Sequence, residues 1–178
     1  MFEKAIEIYE KAAEQNDQDS LNHLGDLYRL GKIVKKDCNK AFTYYRKSTD
    51  LNNPVGFYLI GLMYKNSEGF EQDYNKAKDY FEKGADLGDY EALFALGILY
   101  KNGEGVEQDY NKAKEYYQKA VDLGNNEALV ALGDFYEKGE GVEQYYNKAK
   151  DYFEKAADLG NDIELYALGF WYKNGEGF

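Results

Sequence analysis

The stretch "KNGEGVEQDYNKAK", Lys101 to Lys114, and its near copy "KGEGVEQYYNKAK", Lys138 to Lys150, place two glycines and an acid just before a helix-like run. A glycine-rich loop feeding a helix N-terminus can cradle phosphate with its backbone N–H groups. That chemistry needs a strand before the loop, and a further Gly or a Lys with Ser or Thr after it. Here a helical pattern comes first and Glu104, Glu107 and Asp109 crowd the loop, so a hinge is expected instead. The single histidine, His23, stands at multiples of 36 residues from Leu59, Ala95, Ala131 and Ala167, which reads as packing. Cys38 stands at the same spacing from Phe2, Tyr74, Tyr110 and Tyr146. It has no second thiol or nearby histidine to make a nucleophile or metal ligand. Ser20, Ser48 and Ser67 lack a Lys three residues on, so the S-x-x-K acylation motif is missing. No catalytic residue, metal ligand or cofactor is assigned, and the chain is expected not to be an enzyme.

The elements around these residues repeat. Shifted by 36, the chain lands on itself: Gly25, Gly61, Gly97, Gly133 and Gly169 form one column, and Ala5, Ala41, Ala77, Ala113 and Ala149 another. Each unit holds two helical stripes. In helix A, Leu93, Leu96, Gly97 and Tyr100 fall on one face; in helix B, Ala113, Tyr116, Tyr117 and Ala120 do. A Gly inside a helix costs about 1 kcal/mol relative to Ala, so close approach of a neighbouring helix is expected there, with rings such as Tyr117 or Phe153 filling the space. The tyrosines at 116, 117 and equivalent positions read as core rings, not as a base-stacking platform. Asn16, Asn52, Gly88, Gly124 and Gly160 are expected to end helix B in the left-handed conformation. Asp37, Asp73 and Asp109 are expected N-caps of helix B, with Tyr145 in that place in the fourth copy. The expected fold is all-α: a right-handed solenoid of antiparallel helix pairs. Residues 1–178 form one domain, with a half repeat at 1–15, full repeats at 16–51, 52–87, 88–123 and 124–159, and a half repeat at 160–178.

Composition narrows the partners. Among 178 residues, 22 Lys and Arg face 33 Asp and Glu, a net charge of −11 that repels phosphate backbones and argues against nucleic acid. A basic peptide or protein face is the better electrostatic match. No apolar run approaches the roughly 20 residues of a membrane span, so membrane insertion is not expected. The first residues show no secretory core, and a cytoplasmic location is the expectation.

The pattern Ala92, Leu96, Gly97, Tyr100, Gly103, Gly105, Val106, Asp109, Lys112, Ala113, Tyr116, Tyr117, Lys119 and Ala120 resembles the Sel1-like repeat, a relative of the tetratricopeptide repeat. The likeness covers essentially the whole chain. It departs at Ile33 and Ser67, which replace hinge glycines, and at Glu164, which replaces a small residue. The resemblance implies an α-solenoid that organises other proteins as an adaptor. A cysteine-rich bacterial branch of that family is associated with β-lactam binding, but its paired cysteines are missing here.

In tetratricopeptide-like solenoids helix A lines the concave face, so variable helix A columns are expected to meet a protein or peptide. These are Tyr58, Phe94, Val130 and Tyr166, in the column headed by Asn22; Leu62, Ile98, Asp134 and Phe170, in the column headed by Asp26; and Lys65 and Lys101 near the helix end. An apolar centre at Tyr58, Leu62, Phe94 and Ile98, edged by lysines, fits an exposed patch of the kind that marks binding sites. The alternative is a structural spacer or self-associating segment without a groove ligand. The sequence starts within a helix B and stops past a helix A that leaves Leu165, Leu168 and Tyr172 uncovered. A piece of a longer array, or copies fitting head to tail, is therefore expected.

Overall fold

The computed structural model describes residues 2–160. Among them lie nine α-helices and no strand: α1 (Phe2–Glu14), α2 (Gln18–Leu30), α3 (Cys38–Asp50), α4 (Pro54–Lys65), α5 (Tyr74–Asp86), α6 (Tyr90–Asn102), α7 (Tyr110–Asp122), α8 (Asn126–Lys138) and α9 (Tyr146–Asp158). Even-numbered helices are helix A, and odd-numbered ones are helix B. Two compact units result, Met1–Ala92 and Leu93–Phe178. In the first, α2 packs chiefly on α3 and α4 on α5, with α1 against α2 and α3 against α4; in the second, α8 packs on α9 and α7 on α8.

The helix ends are set by local chemistry. Asp37, Asp73 and Asp109 are extended, and their carboxylates accept the N–H of Lys40, Lys76 and Lys112 at 2.9–3.0 Å, as expected of N-caps. Tyr145 has the same backbone and makes no side-chain cap bond. The residues after helix B take positive φ, 62° at Asn16, 59° at Asn52, 88° at Gly88 and 95° at Gly124, in agreement with the left-handed ending. Hinge residues Gly103 and Gly139 do likewise, and Ser67 holds the same conformation at φ 60°. The first hinge differs. Gly31 keeps the left-handed turn of the column that holds Ser67, Gly103 and Gly139, but Ile33 is not left-handed where Gly69, Gly105 and Gly141 are.

The core follows the small-residue columns. A Cβ at Gly25, Gly61, Gly97 or Gly133 would overlap the ring of Tyr45, Phe81, Tyr117 or Phe153 respectively. Each helix A thus drops to bare backbone where a helix B ring crosses it, and Ala41, Ala77, Ala113 and Ala149 are fully buried beside those rings. Tyr45 donates its hydroxyl to Asp26 at 2.8 Å; burial, then Asp26, push that hydroxyl well above its ordinary pKa.

The neighbouring tyrosine column corrects the sequence reading. Tyr44, Tyr80, Tyr116 and Tyr152 are half-buried rather than core, stacked 5.6–5.8 Å from Tyr28, Tyr64, Tyr100 and Tyr136. A lysine lies near each ring of each stack: Lys112 is 5.0 Å from the Tyr100 ring centre and Lys119 is 5.6 Å from the Tyr116 ring centre. Helical spacing puts both tyrosine columns on the inner side of helix B but does not tell centre from edge.

Candidate functional site

Helix A carries the expected binding residues, and each unit shows its own share. In the first unit Tyr58, Leu62 and Lys65 of α4 are half-buried, with the Tyr58 ring 5.9 Å from that of Phe81. In the second, Phe94 and Ile98 of α6 are half-buried, and Phe94 lies 5.4 Å from Tyr117. The Tyr58 and Phe94 rings thus rest on core rings, and all four apolar side chains keep surface uncovered. Val130 packs partly against Ala149 and Phe153. Asp134 pairs with Lys138 at 2.9 Å. Tyr166 and Phe170 lie outside the described residues, as do Leu165, Leu168 and Tyr172.

The basic residues near the end of helix A have partners of their own. Arg29 reaches Glu68 of the next hinge at 3.3 Å, and Lys101 reaches Glu140 of the next hinge at 3.2 Å. Lys101 also lies 5.4 Å from the Phe135 ring centre. At these two positions the column ties one repeat to the next, a use that its position on helix A does not reveal.

A groove of about 320 Å³ opens on the helix A side of the first unit. From α2 it takes Asp19, Asn22, His23 and Asp26; from α4, Val55, Tyr58 and Leu59; and from the start of α6, Asp89, Tyr90 and Glu91. No Lys or Arg lines it. Asn22 is 7% exposed, and its Oδ1 has no hydrogen-bond partner. Asp89, 8% exposed, caps α6 by accepting the Ala92 N–H at 2.6 Å. Burial pushes its carboxyl above the ordinary range, partly offset by the amides of Ala92 and Glu91. Asp26 is held by Arg29 at 3.0 Å. His23 is exposed at this groove with its ring 5.3 Å from Tyr9, and so packs at an edge, not inside the core. Of these residues the sequence reading singled out only Tyr58 as a site. Asn22 and Asp26 head the two variable columns, so the signal was present. Asp19, Asp89 and Glu91 became groove residues only once α2, α4 and α6 were brought together.

Cys38 is a half-buried free thiol, and among the described residues no group of three His, Cys, Asp or Glu could hold a metal ion. No described helix is long and apolar enough to cross a membrane.

Paired helices stacked through a repeated glycine–ring contact define an all-α repeat solenoid. The Sel1 repeat profile matches residues 2–17, 18–53, 58–89, 91–125 and 126–161, and the chain belongs to the Sel1 repeat family. It is similar to a solved Sel1 repeat protein from Oxalobacter formigenes, at 36% identity and TM-score 0.84, covering 92% of this chain and 66% of that one. A protective antigen present in uropathogenic Escherichia coli strains matches at 31% identity and TM-score 0.83, over 97% of this chain and 37% of that one. An immunity protein from Pseudomonas aeruginosa matches at 34% identity and TM-score 0.70, over 90% and 60%. The chain therefore spans less than two thirds of the length of these solved relatives. No curated protein matches the sequence. Sel1 repeat proteins generally mediate protein–protein interactions and are generally non-catalytic.

Proposed function

We propose that the chain is a non-catalytic interaction scaffold that holds a protein or peptide along its helix A face. The observation that carries this reading is the state of the apolar helix A side chains. Tyr58, Leu62, Phe94 and Ile98 keep uncovered surface, while Ile60, Leu96 and Leu99 on the same helices are fully buried. Large apolar groups left uncovered on a helix face are what a partner's side chains fill. Lys65, Lys101, Val130, Asp134, Tyr166 and Phe170 extend the proposed face. The net charge of −11 supports a polypeptide partner over nucleic acid.

Affinity capture from the native cell tests it, with the double substitution Phe94→Asp and Ile98→Ser as comparison. Loss of the captured partner, with helical content and melting midpoint retained, is the expected result. Because Phe94 touches Tyr117, Ile98→Ser alone serves as a second, milder variant. Full capture by both variants would instead favour a spacer or self-associating segment.

A further inference from the structure

The floor of the first unit's groove holds two buried polar groups of one kind of need. The Asn22 Oδ1 lacks a donor, and the Asp89 carboxylate is an acid deprived of water with no cation beside it. Asp19 adds an exposed carboxylate at the rim, while Asp26 is already engaged by Arg29 and Tyr45. Around them Val55 and Leu59 are apolar, and Tyr58 and Tyr90 present rings. A guanidinium fits this set better than an ammonium. It carries five N–H donors in a plane, is weakly hydrated, and stacks on aromatic faces, and its alkyl stem covers apolar surface. We infer that this groove takes an arginine-bearing segment of a partner polypeptide, the guanidinium donating to Asn22 Oδ1 and neutralising Asp89 and Asp19. The inference rests on the helix A reading and names the chemistry of the partner there.

The test uses fluorescence anisotropy with the whole chain and two labelled probes. One is a nonapeptide of repeating Arg-Leu-Gly; the other has Glu in place of each Arg. The Arg probe is expected to bind at least about tenfold tighter than the Glu probe. The double substitution Asp19→Asn and Asp89→Asn is expected to weaken the Arg probe about tenfold or more. Folding is retained, because Asn53 and Asn125 already cap α4 and α8 at the position equivalent to Asp89. Asn22→Leu is expected to weaken the same probe with the rim charges untouched. Asp151→Asn with Asp158→Asn, exposed residues of α9, makes the same change in net charge away from the groove and should leave the affinity within about twofold.

Equal binding of both probes, no binding of either, or full affinity in the Asp19/Asp89 variant would overturn the inference. Equal losses in the α9 variant would also overturn it, by reducing the effect to overall charge. If any of these occurs while Phe94→Asp with Ile98→Ser still abolishes partner capture, only the arginine specificity falls and the helix A reading stands.

Discussion

At Gly97 two opposing terms decide what a methyl group would do. Helix propensity favours Ala over Gly by about 1 kcal/mol, but the added carbon would overlap the Tyr117 ring, and overpacking a core costs about 1–3 kcal/mol. Sterics win, so Gly97→Ala is expected to lower stability by roughly 1 kcal/mol in urea unfolding; a gain would mean that the ring yields freely. Asp89 shows the second residue-scale effect. Its folded pKa lies above the ordinary 3.8, so the folded state binds more protons than the unfolded one between those two values. Its contribution to stability is fully present below 3.8 and is lost as pH rises through the folded pKa. Asp89→Asn keeps the cap and removes that loss. The melting midpoint at pH 7 should rise, and the difference from the parent should shrink toward pH 3. An equal gain at both pH values would place the effect in the cap itself. The glycine–ring pairing was legible in the sequence because both partners recur in step. Asn22's unmet Oδ1 was not, since a missing hydrogen bond depends on what the fold brings near.

At the scale of the element, one helix lacks what its counterparts have. Helices α3, α5 and α7 each begin on a capping Asp, whereas α9 begins on Tyr145, which is exposed and forms no cap bond. Tyr145→Asp is expected to raise stability by about 1 kcal/mol in thermal melts, and an unchanged or lower midpoint would count against the cap assignment. The hinges show where sequence reading stopped short. Gln72, Gln108 and Gln144 each donate a side-chain N–H to the carbonyl of Lys65, Lys101 or Glu137 at 2.7–2.8 Å. Each bond satisfies a helix A carbonyl that the helix itself leaves open. The glutamines recur at a spacing of 36, but recurrence marks a position without saying what it bonds. The first full repeat has Lys36 in that place, alongside its altered hinge at Ile33.

For the molecule as a whole, repetition made the all-α class and the helix boundaries readable, because each unit restates the same small, large and capping residues. Surface chemistry was harder to read, since a charge on a variable column can face a partner or a neighbouring repeat. Lys101 meets Glu140 and Arg29 meets Glu68, while the acids of α2 and the start of α6 gather at one groove. In the proposed function, helix A grips a polypeptide. Amide hydrogen exchange on the chain, with and without its captured partner, is the decisive measurement. Slowed exchange should concentrate in α2, α4 and α6, with α3, α5 and α7 little changed. Slowing confined to α3, α5 and α7, or none at all in the bound state, would contradict it.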